Sequence, residues 1–182
     1  MGNGPGEYPV TIYDVSIDER GGHIFLSLFY GKKIMMYGLD GKWIKDINLP
    51  GQINKPKIEV NADGTLSVVH MPFEEGTPIA FRMDTDGNIL SQIPALDYML
   101  AGNFDNEIFS YRNIGTFDFF YTGIDTTFTY DTEANKLIPR FTMNFPGFAQ
   151  KLSISTRNCP IISSSITTLG IKAGSHPEET YW

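Results

Sequence analysis

The sequence contains a single cysteine, few basic residues and no long apolar run. Cys159 has no second cysteine for an intrachain disulfide and leaves no thiolate cluster for zinc. The 14 Lys and Arg residues against 21 Asp and Glu give a net charge of −7, which argues against a protein that tracks nucleic-acid phosphates or an anionic membrane. No apolar run approaches the roughly 20 residues of a transmembrane helix, and the N-terminus lacks the basic and apolar segments of a signal peptide.

The composition instead indicates a folded domain with many tight turns. Apolar residues make up 41% and charged residues 19% of 182 residues, which is typical of one globular domain. The 18 Gly and 11 Pro residues are roughly 16% of the chain, against a usual level of about 12%. Since no amphipathic stretch of helical period runs without Gly or Pro, the sequence predicts an all-β fold.

Three segments of the sequence align without gaps and begin at Arg20, Ala62 and Phe104. They place a turn residue at Gly22, Gly64 and Asn106, with 42 residues between successive copies. In each copy strand-forming residues follow a residue that suits the positive φ of a two-residue hairpin. We therefore predict a hairpin with positive φ at all three positions.

Each repeat also contains a second turn, at Gly41, Gly87 and Asn135. One unit then reads strand, tight turn, strand, longer loop, strand, tight turn, strand. Four antiparallel strands in a repeat of this length are typical of a β-propeller blade. The predicted architecture is about three four-stranded antiparallel meanders, at 8–48, 49–96 and 97–147 of a domain spanning 1–147. Residues 148–182, rich in Ser and Thr, are predicted to form an irregular tail or a degenerate blade.

Three motifs resemble a known family. They are the opening Asn3-Gly4-Pro5-Gly6-Glu7-Tyr8, the blade ending at 33–45, and residues 124–130 followed by 137–141. Together they resemble the bacterial, Bacteroidetes-type six-bladed β-propellers of the NHL-like kind, over residues 3–147. The resemblance implies a location in the cell envelope, either periplasmic or at the surface, and supplies no catalytic residues to transfer. Six blades need roughly 250 residues, so we expect a partial or truncated member.

Loops on a rigid β-scaffold are the usual place for binding residues. In a four-stranded meander the second–third strand loops and the inter-blade connections share one face, which we call the loop face. The predicted loops there include 70–78 and 112–125. The candidate ligand-binding residues are His70, Phe117, Asp118, Phe119 and Tyr121, because aromatic faces beside an acid suit a sugar or peptide. The alternative is that Phe117, Phe119 and Tyr121 share one side of a strand and pack between blades.

Signals for catalysis, metals and cofactors are absent from the sequence. It has no G-x-S-x-G elbow and no phosphate loop, and the Asp84–Asn88 segment lacks the Gly and Glu positions of a calcium loop. We therefore expect no catalytic residues, no metal and no cofactor. The leading hypothesis is a non-enzymatic binding module that contacts a carbohydrate, peptide or protein through its loop face. The alternatives are a propeller-type lyase or hydrolase that uses His70 with Asp118 or Glu74, and a purely structural assembly surface.

Three blades in an arc leave two flanks that a closed propeller would bury. The apolar residues predicted to be poorly covered at the flanks are Ile24, Leu26, Ile34, Phe81, Ile108 and Phe128. Such a chain must cover its flanks with residues 148–182, form a homodimer that completes a six-bladed ring, or fold poorly.

Overall fold

The structure, a computed structural model, describes Gly2, residues 4–113 and residues 116–142. The predicted tail at 148–182 lies outside the described residues, as do Cys159 and His176. The statements that follow concern the described part of the chain.

The chain folds into three four-stranded antiparallel sheets in which neighbouring strands are consecutive in sequence. Blade 1 contains β1 (Ile12–Asp18), β2 (His23–Leu28), β3 (Tyr30–Gly38) and β4 (Trp43–Asn54). Blade 2 contains β5 (Lys57–Val60), β6 (Leu66–Val69), β7 (Pro78–Met83) and β8 (Ile89–Pro94). A short 3-10 helix (Asp97–Met99) precedes blade 3, which contains β9 (Ile108–Asn113), β10 (Thr116–Tyr121), β11 (Thr126–Asp131) and β12 (Lys136–Thr142). The predicted all-β fold with three meanders is confirmed.

The first turns of blades 1 and 2 have the predicted positive φ, but the predicted two-residue loop length is wrong. Four residues separate the paired ends of β1 and β2, and five separate those of β5 and β6. Gly22 and Gly64 have φ values of 77° and 80° between the first and second strands of their blades. This left-handed region is strained for residues that carry a Cβ, and it matches the right-handed twist of the flanking strands. The second turns behave alike, with φ of 79° at Gly41 and 94° at Gly87, and Asn135 takes the same role at 49°.

The prediction for Asn106 is wrong, because this residue does not belong to the described residues with positive φ. It lies in the connection before β9, and the first two strands of blade 3 are β9 and β10, which pair with Asn113 opposite Thr116. Contacts between blades show that β9 is the first strand of blade 3, because the first strands of successive blades touch: β1 contacts β5, and β5 in turn contacts β9. Blades 2 and 3 are separated by a longer connection that contains the 3-10 helix. The third aligned segment of the sequence therefore contains the first strand of its blade, whereas the other two segments contain the second strand. The predicted loop at 112–125 therefore contains the end of β9 and the whole of strand β10.

Strand β4 also extends beyond the boundary predicted at residue 48. After an irregularity in the ladder it pairs again with the start of β3, with Gly31 opposite Ile53 and Tyr30 opposite Asn54. The first sheet consequently spans residues 12–54, and the connection to blade 2 is only two residues long. This extension brings the end of β4 next to blade 2.

Two hydrophobic clusters lie between the sheets. One, between blades 1 and 2, contains Phe25, Ile34, Met36, Ile47, Leu49, Ile53, Ile58, Leu66, Val68, Phe81 and Met83. The other, between blades 2 and 3, contains Val69, Met71, Ile79, Ala80, Met99, Ala101, Ile108, Phe117, Phe119, Tyr121, Phe128 and Tyr130. Blade 2 therefore has apolar contacts on both faces, and all four residues of β6 are buried.

The residues predicted to be poorly covered are mostly buried. Ile34, Phe81, Ile108 and Phe128 face a neighbouring blade inside the arc. Only the pair Ile24 and Leu26 stays partly exposed. The alternation of a strand tells which residues share a face, but not which face meets the next blade.

Candidate functional site

A groove of about 610 Å³ lies between blades 1 and 2. One wall is the end of β4, at residues 49–54, and the other is the loop at 70–77 with the adjoining parts of β7 and β8. The 70–77 loop joins the second and third strands of blade 2, and the end of β4 leads into the inter-blade connection. The groove therefore opens on the loop face, where the sequence places binding residues.

Backbone hydrogen bonds hold the 70–77 loop against its surroundings. The His70 N–H donates to the Ile79 carbonyl at 3.0 Å, which prolongs the ladder between β6 and β7. The Met71 N–H donates to the carbonyl of Asn54, on the opposite wall, at 2.9 Å. The Phe73 ring stacks on Phe104, with ring centroids 4.5 Å apart. The wall is thus formed before any ligand arrives, and this lowers the entropic cost of binding.

His70 is the polar residue at the base of the groove. Its side chain is fully buried and packs edge-on against Phe81, with ring centroids 5.9 Å apart. Neither ring nitrogen has a hydrogen-bond partner among the described residues. Burial lowers the pKa of the imidazole from 6.5 to about 4. Weak hydrogen-bonding contact with the backbone of Met71 and Pro78, which lies outside the geometry of a full hydrogen bond, opposes this without reversing it. The ring is therefore neutral at pH 7, with one donor and one acceptor nitrogen.

The rim of the groove carries side chains that both donate and accept hydrogen bonds. Gln52 and Gln92 are exposed on opposite walls, and the Gln52 Nε2 donates to the Asn54 Oδ1 at 3.1 Å. Lys32 and Glu74 add one exposed charge of each sign. A groove with an apolar base, amide groups and no net charge is suited to a neutral polar ligand.

Three of the predicted site residues point into the core. Phe117, Phe119 and Tyr121 alternate along β10 and are buried in the cluster between blades 2 and 3. The Tyr121 hydroxyl donates to the Met99 carbonyl inside this cluster. These positions agree with the packing alternative, and whether any of the three touches a ligand stays a prediction.

Asp118 lies on the opposite face of β10, away from blade 2. Its carboxylate accepts hydrogen bonds from the hydroxyls of Thr129 and Thr116, and Thr129 in turn accepts one from the Arg140 Nε at 2.7 Å. The structure therefore does not bring Asp118 into the groove with His70. Of the two acids considered as partners of His70, only Glu74 lines the same groove.

A second polar cluster joins the connections on the loop face, and sequence reasoning missed it. The Lys55 side chain is 1% exposed, and its Nζ donates at 2.6 Å to each of three oxygens: the Phe104 and Asn106 carbonyls and the Glu107 Oε1. The Glu107 Oε2 accepts a hydrogen bond from the Tyr13 hydroxyl at 2.6 Å. The cluster ties blade 1 and the blade 1–2 connection to the entry of blade 3.

The charges of this cluster shift the pKa values of its members in the expected directions. Burial, followed by the hydrogen bond to the Glu107 carboxylate, raises the pKa of the Tyr13 phenol. Burial alone would raise the pKa of Glu107, but hydrogen bonds from Lys55 and Tyr13 hold it below its ordinary value. Because every Lys55 N–H already has an acceptor, we interpret the cluster as structural. An isolated Lys followed by Pro gives no sequence signal of such a role.

Metal and membrane features can be assessed over residues 4–113 and 116–142. Within this part no group of three or more His, Cys, Asp and Glu side chains is arranged to hold a metal ion. The same residues include no helix long and apolar enough to span a bilayer.

Comparison with solved structures shows the fold. A Bacteroides fragilis protein described as a candidate exported protein matches with a TM-score of 0.60 and 14% identity over 81% of this chain. The match covers 41% of that protein, so this chain spans less than half of its length. An auxiliary nutrient binding protein from Bacteroides thetaiotaomicron matches with a TM-score of 0.49 and 13% identity, over 73% of this chain and 31% of its own. No curated protein matches the sequence.

The family is shown by a match over most of the chain. The profile of the family DUF5128, described as a 6-bladed beta-propeller, matches residues 1–147. This range agrees with the span of the three motifs in the sequence and with the three blades of the structure. The predicted resemblance is confirmed: the chain belongs to the DUF5128 family of six-bladed β-propellers.

Proposed function

We propose that this protein is a binding module whose ligand occupies the groove between blades 1 and 2. The observation that carries the proposal is His70, a buried imidazole at the base of the groove with no partner for either nitrogen among the described residues. Leaving a buried polar group unpaired costs about 1–3 kcal/mol, and most native proteins avoid it. Because both nitrogens are inaccessible in the free protein, a ligand in the groove would supply the missing hydrogen bonds once the imidazole turns toward it.

The ligand class follows from the groove walls. A neutral imidazole and the amides of Gln52 and Gln92 match hydroxyl or amide groups, which a carbohydrate, a peptide or a protein loop can present. An apolar base that includes Phe81 and Leu49 would accept the less polar side of such a chain. An NHL-like repeat and a location in the cell envelope are part of the same proposal; their support is the family resemblance and the exported description of one fold neighbour.

The test is a binding screen of the full chain with neutral oligosaccharides and short uncharged peptides, followed by NMR. We expect a hit to shift the His70 imidazole signals and the Gln52 and Gln92 side-chain amides. Gln92→Ala and Glu74→Gln should then weaken binding about tenfold, the equivalent of roughly 1.4 kcal/mol. Glu75→Gln is the matched control, since Glu75 is exposed next to Glu74 but does not line the groove.

Two outcomes would overturn the proposal. One is binding that the groove variants leave unchanged, which would place the ligand elsewhere on the molecule. The other is no binding in either ligand class, which would favour the purely structural assembly surface.

A further inference from the structure

The end of β4, which forms one wall of the groove, departs from the regular ladder with β3. Asn48 pairs with Lys33, and the next pair along the two strands is Ile53 with Gly31. Residues 49–52 of β4 therefore lie opposite a single residue of β3, and the ladder between these described strands gives them no partner of their own. We call residues 49–52 the groove bulge. A bulge leaves the backbone of the inserted residues outside the pairing of the sheet.

The groove bulge is an open stretch of backbone. β4 is the last strand of the blade 1 sheet, so within that sheet it has a neighbouring strand on one side only. Pro50, Gly51 and Gln52 are exposed, and a Cβ built on Gly51 would meet no described atom within 4 Å. Open strand edges accept a further extended chain, because their N–H and C=O groups have the spacing of a strand.

The rest of the groove suits the side chains of an extended peptide. Such a peptide directs successive side chains to opposite sides, so every second one would reach the base of the groove. That base is apolar where Leu49, Phe81 and Ile89 line it. The amides of Gln52 and Gln92 at the rim both donate and accept, as a peptide bond does.

The aromatic rings of the groove favour a peptide over a carbohydrate. The apolar face of a sugar packs on the open face of an aromatic ring. Phe81 is only 3% exposed, and the His70 ring already packs against it. Phe73 has one face covered by Phe104. Among the described residues that line the groove, this leaves one face of Phe73 for a sugar, whereas the open backbone extends over the whole groove bulge.

We propose that the ligand of the groove is an extended peptide segment whose main chain pairs with the groove bulge. Carbonyl groups of the bulge accept hydrogen bonds from the peptide. On the donor side, Pro50 has no N–H, and neighbouring residues of a strand direct their N–H groups to opposite sides, so one of Gly51 and Gln52 donates to the peptide. This inference rests on the proposed function, since it gives the chemical class of the ligand of that same groove.

The first experiment tests the pairing from the side of the peptide. Displayed random peptides are selected on the full chain, and the most enriched sequence is synthesised with blocked ends and N-methylated at one amide at a time. We expect every second N-methyl group to weaken binding about tenfold, because it removes a hydrogen bond to the groove bulge. The amides between them are the internal control and should tolerate the change, since they point away from β4. A scan without this alternation would overturn the proposal.

The second experiment tests the pairing from the side of the protein. Amide hydrogen exchange of the full chain is measured by NMR with and without the synthesised peptide. We expect exchange at Gly51 or Gln52 to slow about tenfold or more, because a new hydrogen bond protects that N–H. Gly102 is the matched control: it is also exposed, with an open Cβ position, but does not line the groove, so its rate should stay the same. Unchanged exchange at both bulge residues would overturn the proposal even if the peptide binds.

The outcomes distinguish this inference from the proposed function. If no peptide is enriched while a neutral oligosaccharide binds the wild type and binds Gln92→Ala more weakly, the groove is the binding site and the peptide assignment is wrong. If the selected peptide binds the wild type and Gln92→Ala equally well, it lies outside the groove, and both are wrong. A peptide that shows the alternating N-methyl pattern, the protection at the groove bulge and weaker binding to Gln92→Ala supports both.

Discussion

Acid should destabilise this protein through His70. The unfolded imidazole has an ordinary pKa of 6.5, whereas burial lowers the folded value to about 4. Between these two pH values the unfolded chain binds a proton that the folded chain excludes. The free energy of unfolding therefore falls as the pH decreases through this window. Above pH 6.5 the imidazole is neutral in both states, so His70 does not make the free energy of unfolding depend on pH.

The expected size of the effect follows from the two pKa values. Each pKa unit corresponds to 1.36 kcal/mol, so a shift from 6.5 to about 4 removes about 3 kcal/mol once the pH is below both. The side chain is fully buried, so solvent screening does not reduce this figure strongly. A loss of this size is a large fraction of the total stability of a domain, about 5–15 kcal/mol.

The assay compares the wild type with His70→Leu by urea denaturation from about pH 7 to about pH 4. The difference between the two proteins isolates the histidine, because the carboxylates titrate in both. We expect the free energy of unfolding of the variant to equal or exceed that of the wild type at neutral pH, since the unpaired nitrogens are removed. The advantage of the variant should grow by about 3 kcal/mol on acidification.

Two results would refute this reasoning. One is a pH-independent difference between the wild type and the variant. The other is an NMR titration in which the folded His70 imidazole titrates near 6.5, the ordinary value for the side chain. Either result would mean that the ring is solvated or paired, and the argument for the groove would lose its main support. His70→Phe serves as a second variant that fills the site differently but should show the same pH dependence.

Three further substitutions test the fold. Lys55→Met should lower the free energy of unfolding by on the order of 2 kcal/mol, because it leaves the Glu107 carboxylate and two carbonyls without their buried cation. The loss is not larger because Glu107 is 44% exposed and water can solvate its carboxylate. An unchanged urea midpoint would contradict a stabilising role of this cluster. Gly64→Val should cost about 1–2 kcal/mol through left-handed strain alone, since no atom lies near its Cβ position. Gly51→Val, at an equally open position without positive φ, should cost clearly less in the same denaturation experiment, and equal losses would remove the strain explanation. Phe119→Ala should cost about 3–5 kcal/mol by opening a cavity between blades 2 and 3, and a loss below about 1 kcal/mol, typical of surface sites, would show that this interface is loosely packed.

Local turn chemistry made the fold class predictable from sequence. A glycine such as Gly22 or Gly64 indicates a turn at its own position, because the turn requires positive φ and few other residues adopt positive φ without strain. The repeat of two such turns was enough to predict four-stranded meanders and their number. The same logic failed at Asn106, since Asn also occurs in ordinary loops and tolerates either sign of φ.

The candidate site could be predicted only in part. The order of the turns in the sequence predicted the 70–77 loop and the face of the propeller on which it lies. The sequence therefore also predicted that His70 and Glu74 lie near one another. The rim residues Gln52 and Gln92 were not found, because they come from the outer strands of two different blades and meet only when those blades pack.

Burial was decided by the tertiary structure. The alternation along β10 already put Phe117, Phe119 and Tyr121 on one side of a strand, but a period of two does not say whether that side meets solvent, a ligand or the next blade. The same holds for Lys55, whose three acceptors lie about 50 residues further along the chain. Strand and turn propensities act between neighbours in sequence. Desolvation and ion pairing depend instead on which distant segments meet, and the packing of the blades determines which segments those are.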